Sequence, residues 1–470
     1  MAWRRDAASR QRPPGAKPAQ PLISGHSATS RSSLWALVRF ATATRLAVFS
    51  LALASHRYIS DYDASVDTLL GPGAAGHSSE KSLDAWLRPF ASVYLRWDAF
   101  YFLHLAEEGY VYEQEHAFFP LLPLLTRLLA TTGKWLYSLF RPLRFVLSER
   151  VIMLLAGVTL SNVAFILAAI AFYRLTRTMF GDHRFALVSA TLFCLAPSSM
   201  FMSSMYAESL FALLSFVGMG FMQRGNHFAA ACVWALSTLA RSNGIIYVGF
   251  FVYELLIRQT HKHGISGFAL RLSKCIALAV ITISGFTAFE TYGYWQFCSN
   301  AQNMRPWCTT RLPLLYSFVQ TEYWNCGFLR YFETRQIPNF ALAAPMILLS
   351  LSGILLYAMQ DSRRFFTIGL KETHAAHFMR LQLYYSDQAL PFIYMWGVML
   401  LYAFTSMHVQ VITRFFSSMP PVFWFAAHLC LALDGSQSAS TRIWAHIVVG
   451  YFVIYGLIGV VLFSNFFPPA

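Results

Sequence analysis

The chain has 470 residues, 56% of them hydrophobic and 12% charged, about half the roughly 25% charge of a soluble domain. Apolar runs long enough to cross a bilayer recur along its length, with no alternation of apolar and polar residues. This excludes an ordinary soluble enzyme and a transmembrane barrel, and leaves an all-α polytopic membrane protein. The net charge of +14 reads as Lys and Arg flanking spans on the cytosolic side, not as a nucleic-acid surface.

Residues 1–33 are rich in Ser, Pro and Gly, and their Arg4, Arg5, Arg10, Arg12, Lys17 and Arg31 oppose only Asp6. They predict a disordered, basic, cytosolic tail rather than a cleaved signal peptide. Residues 34–470 read as a single transmembrane catalytic domain with no internal repeat. The first span covers about 34–54 and leads from the cytosol to the lumen. Residues 55–148 follow as a long luminal loop, with helices lying in the interface around 83–105.

The stretch 118–140 is apolar but interrupted by Pro120, Pro123, Arg127, Gly133 and Lys134. The span at 151–173 ends in Arg174, Arg177 and Arg184, a cytosolic pattern, so both ends of 118–140 fall on the luminal side. The stretch therefore reads as re-entrant or interfacial. Later apolar runs lie at about 185–203, 205–222, 228–241, 244–258, 272–296, 338–359, 386–405, 411–432 and 443–465, for roughly ten to eleven transmembrane helices. Arg258, Lys262, Arg271 and Lys274 mark one cytosolic loop between them, and Arg363, Arg364, Lys371 and Arg380 another. The seven cysteines form no metal pattern. Cys298, Cys308 and Cys326 share one polar loop, where an oxidising lumen would permit one disulfide among the three.

The polar residues that interrupt apolar sequence converge on the luminal side. Charges at bilayer depth are costly and usually pair or line a cavity. Asp98 follows Arg96 and Trp97 in the first luminal loop and precedes Phe100, Tyr101 and Phe102. A carboxylate partly buried among aromatics makes a better base; the plain alternative is a helix cap. Glu208 interrupts an apolar hairpin, where it could also be only a cap. Arg241, in Ala240-Arg241-Ser242-Asn243-Gly244, either reaches for lipid headgroups or faces a phosphate, which suits a planar guanidinium. In His408-Val409-Gln410-Val411-Ile412-Thr413-Arg414, a continuous helix would put Gln410 and Arg414 on one face with His408 within a turn, offering adjacent donors to one anion.

No Walker-type loop, GxGxxG following a strand, GxSxG or His-Glu-x-x-His occurs. No metal and no cofactor are expected. A carboxylate base with an Arg and His clamp implies group transfer from a lipid phosphate, whose developing charge needs preorganised cations.

Trp97-Asp98, HAFFPLLPL at 116–124, APSSMFMSSMYAESLF at 196–211, ARSNG at 240–244, WNCGFLRYF at 324–332, QIPNF at 336–340 and HVQVITRF at 408–415 stand in an order and spacing that resembles the GPI mannosyltransferase 2 family. The closing Asn465-Phe466-Phe467-Pro468 is similar too. The resemblance covers nearly all the chain beyond its tail, which is longer and more basic than expected for the family. It implies a GT-C type glycosyltransferase of the endoplasmic reticulum membrane, with a cytosolic N-terminus and a catalytic first luminal loop. The implied donor is dolichyl-phosphate-mannose, the acceptor a mannosyl-glucosaminyl-(acyl)phosphatidylinositol, and the linkage α-1,6.

Asp98 then takes the place of the luminal-loop acid, with Trp97 beside it. Phe119 and Pro120 of HAFFPLLPL fall with His408, Gln410 and Arg414 where the lipid donor lies. Arg96, Glu208, Arg241 and Asn243 complete the candidate substrate-binding set. A small stabilising membrane subunit is an expected partner besides the two lipid substrates, and nucleic acid is not. The alternatives are another polyprenyl-phosphate-sugar transferase of the endoplasmic reticulum, or a lipid flippase or scramblase. The last needs a polar groove across the whole bilayer, whereas the charges here gather near one side.

Overall fold

The computed structural model describes residues 25–62, 83–139, 147–299, 304–371, 383–432 and 439–468. Every regular element among them is helical, as expected where backbone groups cannot turn to water for hydrogen bonds. The first helix, α1 (Gly25–Tyr58), begins inside the stretch expected to be a disordered tail. Residues 1–24 of that tail lie outside the described residues.

Two short helices follow in the first loop, α2 (Leu83–Ser92) and α3 (Ala99–Glu107), and then α4 (Leu121–Leu139). The next four are α5 (Glu149–Phe180), α6 (His183–Cys194), α7 (Glu208–Gln223) and α8 (His227–Ala240). Beyond them come α9 (Phe268–Cys298), α10 (Leu315–Glu322), α11 (Ile337–Gln360), α12 (Leu390–Ser406), α13 (Ile412–Phe416), α14 (Pro420–Leu431) and α15 (Ala439–Ser464).

Among the described residues, six helical segments are long and apolar enough to cross a membrane: Ser32–Tyr58, Glu149–Phe180, Phe268–Cys298, Thr334–Gln360, Asp387–Ser406 and Arg442–Ser464. The protein is thus a multi-pass membrane protein. Three shorter apolar helices, α7, α8 and α14, accompany them, so several of the apolar runs do not become helices of spanning length. The run at 185–203 shows why. Its helix stops at Cys194 and residues 195–207 continue as irregular backbone. Buried groups of neighbouring helices satisfy that backbone, which is what permits it inside a membrane protein. Arg45 of α1 donates to the carbonyls of Ser199 (2.8 Å) and Cys194 (3.4 Å). Asn162 donates to the Ser203 carbonyl at 2.9 Å, and Ser209 to that of Met202 at 2.6 Å. The run at 411–432 likewise breaks between α13 and α14, where Pro420 opens the second helix without needing a backbone donor.

The stretch expected to be re-entrant or interfacial forms α4, a continuous helix that is not among the six. Leu124, Leu128 and Trp135 are exposed on it. Arg127 folds back to donate to the carbonyls of Ala106 (2.7 Å) and Glu107 (2.8 Å), closing the end of α3.

Two cores organise the bundle. The larger holds Phe172, Phe193, Phe216, Trp234, Tyr247, Trp396 and Trp424. The second joins α3 to the irregular segment, through Phe102, Leu103, Phe118, Met205, Tyr206 and Phe463. Packing between apolar helices in lipid relies on close approach and on hydrogen bonds between helices. Gly285 of α9 gives both, because a Cβ there would strike the Ala235 carbonyl of α8, and Thr238 of α8 donates to the Thr282 carbonyl at 3.0 Å.

The long polar segment from 304 to 323 folds onto the first loop. Glu113 accepts from Arg305 Nη2 (2.7 Å), from Tyr323 Oη (3.1 Å) and from the Trp307 indole. Of the three cysteines in that region, Cys298 and Cys308 form a disulfide, and Cys326 is free.

Candidate active site

The ends of the broken helices meet around one cavity of about 240 Å³. Asp98, Phe118 and Phe119 come from the first loop, and Glu208 from the start of α7. Arg241, Ser242 and Asn243 follow α8, Tyr316 belongs to the polar segment and Trp324 comes just after it, and His408, Arg414 and Phe415 come from the entry of α13. Most lie at or within a turn of a helix end, and their side chains line a common space.

The loop before α3 is built to present Asp98. Trp97 is held at φ +53°, the left-handed region, where a bulky residue costs about 1–3 kcal/mol and persists only if its surroundings over-determine it. Tyr206 supplies much of that constraint. Its hydroxyl accepts from the Asp98 N–H at 2.9 Å and donates to the Arg96 carbonyl at 3.1 Å. The Trp97 ring packs on Phe466 at 5.4 Å. Asp98 stands at the N-cap position of α3, but its side chain makes no capping bond. It turns instead to Arg414 Nη1, 3.0 Å away. That removes the helix-cap alternative and leaves a carboxylate 27% exposed at the cavity wall.

Two carboxylates and two guanidinium groups alternate along this wall. Glu208, with its side chain at 0% exposure, accepts at one oxygen from both Arg414 Nε (2.6 Å) and Arg241 Nη1 (2.7 Å). Its second oxygen is buried and has no partner among the described residues. A buried carboxylate needs such compensation; here it also aims two cations into one cavity. Arg414 lies over Phe201 (4.6 Å) and Tyr206 (5.0 Å), and Arg241 over Phe415 (4.6 Å). These rings limit where the guanidinium planes can turn. Arg414 thus bridges the two carboxylates, through Nε to Glu208 and Nη1 to Asp98.

Seven of the expected site residues, Asp98, Phe119, Glu208, Arg241, Asn243, His408 and Arg414, line the cavity, whereas Arg96, Trp97, Pro120 and Gln410 do not. Pro120 is buried at the head of α4. Gln410 lies in the 3-10 turn Val409–Val411, which runs directly into α13, and its side chain is engaged away from the cavity. It accepts from Tyr331 Oη at 2.8 Å, which in turn accepts from Asn339 at 2.8 Å. His408 lines the cavity, but its Nε2 donates to the Trp324 carbonyl at 2.6 Å and its ring stacks on Tyr331 at 4.6 Å. His116 is buried between Tyr110 and Phe289, and that burial lowers its pKa to about 3. It is a neutral packing group.

Arg96 is fully buried on the other side of the loop. It donates to Asp61 Oδ2 (2.8 Å) and to the Ser464 carbonyl (3.0 Å), fastening the loop to the end of α1 and to the C-terminal helix. Arg96→Ala is therefore expected to lower stability by about 1–3 kcal/mol, the cost of leaving buried partners unmet. The check is thermal unfolding in detergent. An unchanged melting temperature would contradict the fastening role.

Sequence reasoning missed Tyr206, Tyr316, Gln320 and Trp324 as individual site residues. The first and last lie inside the quoted motifs, so their signal was present. Tyr316 and Gln320 carried none, because only the folding of the polar segment brings them to the wall.

Comparison with known proteins matches the sequence of the chain to a family. The family model described as Mannosyltransferase (PIG-V) matches residues 34–470. GPI alpha-1,6-mannosyltransferase 2 of Cricetulus griseus is 32% identical over 499 residues, covering 92% of this chain and 98% of that protein. The protein of the same name from Homo sapiens is 30% identical, with 92% and 98% covered. GPI mannosyltransferase 2 of Aspergillus oryzae is 31% identical, with 80% and 82% covered. Among solved structures, archaeal oligosaccharyltransferase AglB from Archaeoglobus fulgidus aligns with a TM-score of 0.44 at 12% identity, over 91% of this chain and 56% of that one. With its cavity at the ends of broken membrane helices and a family match across nearly its whole length, the chain belongs to the PIG-V family of mannosyltransferases.

Proposed function

We propose that this protein transfers the second mannose, α-1,6-linked, from dolichyl-phosphate-mannose to a mannosyl-glucosaminyl-(acyl)phosphatidylinositol during GPI-anchor synthesis. The observation that carries the chemistry is the Asp98–Arg414–Glu208–Arg241 wall. It places a partly exposed carboxylate beside Arg414, with Arg241 on the same cavity wall.

The acceptor 6-hydroxyl oxygen attacks the anomeric carbon of the donor and bonds to it. The bond from that carbon to the phosphate oxygen breaks, and its electron pair leaves with dolichyl phosphate. The proton of the hydroxyl passes to Asp98. The attack comes from the face opposite the leaving group, so β-mannose on the donor becomes α-mannose on the product. Arg414 and Arg241 stabilise the charge that grows on the departing phosphate, in a site already organised before the reaction. A phosphomonoester leaving group with two guanidinium groups beside it needs no metal, and both wall carboxylates are already engaged by those cations.

The site belongs on the luminal side of the endoplasmic reticulum membrane, with the N-terminus in the cytosol. The Lys and Arg distribution supports this, as does the Cys298–Cys308 disulfide in the polar segment beside the cavity, a bond suited to an oxidising compartment. As the family resemblance implies, the protein is a GT-C type enzyme and works with a small stabilising membrane subunit.

The test is cell-free transfer by the purified protein, with dolichyl-phosphate-mannose and a synthetic one-mannose acceptor in the presence of a chelator. The expected result is an α-1,6-linked two-mannose product at an undiminished rate. No product with or without divalent ions would overturn the reading. Product only with added metal would overturn its metal-free part.

A further inference from the structure

The cavity wall also holds polar groups that the mechanism above does not use. The carboxamide of Asn243 is buried, and neither its oxygen nor its nitrogen has a hydrogen-bond partner among the described residues. The indole N–H of Trp324 is in the same state. Both side chains line the cavity. A buried amide without a partner is costly, so its persistence calls for a ligand.

The chain around Asn243 is fixed on both sides. Ser242 donates to Tyr316 Oη at 2.9 Å. Gly244 packs so closely on the end of α8 that a Cβ there would meet Ser237 Oγ at 2.8 Å and the Thr238 nitrogen at 3.0 Å. Asn243 does not cap the turn Ser242–Tyr247, because Arg241 holds that position. The Asn243 side chain is thus held at the cavity wall by its neighbours, with both of its polar atoms unpartnered among the described residues. Trp324 is fixed in the same way, through the bond from His408 to its carbonyl.

We propose that Asn243 reads a vicinal diol of the transferred sugar, with the Trp324 N–H contacting a further hydroxyl, so that these residues set hexose specificity. This rests on the mannosyl-transfer reading above. A carboxamide offers a donor and an acceptor side by side, and neighbouring sugar hydroxyls present the complementary pair. The donor sugar is the one addressed because Asn243 stands two residues from Arg241. The sugar on a lipid phosphate is bonded directly to the group that Arg241 faces. A site built to hydrogen-bond a hydroxyl discriminates strongly against a substrate that lacks it.

The experiment measures kcat/KM for dolichyl-phosphate-mannose and for donors deoxygenated singly at the 2-, 3-, 4- and 6-positions. Wild type, Asn243→Leu, Asn243→Ser and Trp324→Phe are compared. Asn243→Leu is expected to lose about 10- to 100-fold with the natural donor. Wild type should lose a similar factor on at least one deoxy donor. That donor and the natural one should then be transferred within about twofold of each other by Asn243→Leu, the signature of a shared contact. Asn243→Ser gives the same comparison should the leucine variant fold poorly. Trp324→Phe should couple to a different hydroxyl.

A deoxy-donor penalty as large in both Asn243 variants as in wild type would overturn the proposal, since a merely structural role lowers all rates together. Coupling seen only with deoxygenated acceptors would overturn it too, by moving Asn243 to the acceptor. If wild type makes no product from the natural donor, the mannosyl-transfer reading itself fails, an outcome distinct from wild-type transfer without coupling.

Discussion

Asp98→Asn is expected to abolish mannosyl transfer while leaving expression and donor binding close to wild type. The substitution keeps the shape of the side chain and removes its ability to take a proton. Tyr206 still holds the loop through backbone atoms, and Arg414 keeps its bond to Glu208, so the geometry around the site survives. A general base contributes roughly 10²–10⁴-fold to such a reaction, and the loss should appear in kcat. The measurement is single-turnover transfer by the purified variant, together with its ability to complement cells that lack the activity. Near-normal complementation would remove Asp98 from the role of base.

Arg414→Ala is the second large effect, and it should act through the donor. Arg414 bonds to Asp98 with one nitrogen and to Glu208 with another, so the variant loses both a phosphate contact and part of the compensation of a buried carboxylate. Loss of a cation whose contact strengthens as the phosphate departs costs on the order of 10²-fold or more in rate. Arg414→Lys should recover only part of this. A point-charge ammonium cannot serve two carboxylates and an anion from one planar fork.

Two controls separate the roles. Glu208 keeps Arg241 as a partner, so the alanine variant should still fold. If Arg414 only neutralised Glu208, adding Glu208→Gln would restore activity; we expect it not to. Donor and acceptor are varied separately, and a rise confined to the acceptor requirement would place Arg414 in the acceptor site.

Much of this site could be read from residue order. Asp98, Glu208, Arg241 and Arg414 stood out because a charge inside a long apolar chain needs a reason to be there. Arg96 stood out on the same ground, yet its reason is different: it is buried against Asp61 and the Ser464 carbonyl. The physics that flags a buried charge is the same for a fastener and for a ligand-binding group, and only its partners tell them apart. Gln410 was placed beside Arg414 by helical spacing, but its side chain accepts from Tyr331 instead of reaching the cavity.

The sequence by itself determined that the protein is helical and membrane-embedded, and which charges are unusual, because these follow from composition and from the spacing of residues along one chain. The quoted motifs, in their order, also pointed to the family. Tertiary structure alone decided which helices stop short of spanning length, that Asp98 and Glu208 share Arg414, that Cys298 rather than Cys326 pairs with Cys308, and that Asn243 is left unpaired. Asp98 and Arg414 are separated by 316 residues, and no local periodicity records such a contact. It arises because irregular backbone at 195–207 is satisfied by Arg45, Asn162 and Ser209. That lets the helix ends open onto one cavity where lipid would otherwise require a continuous helix.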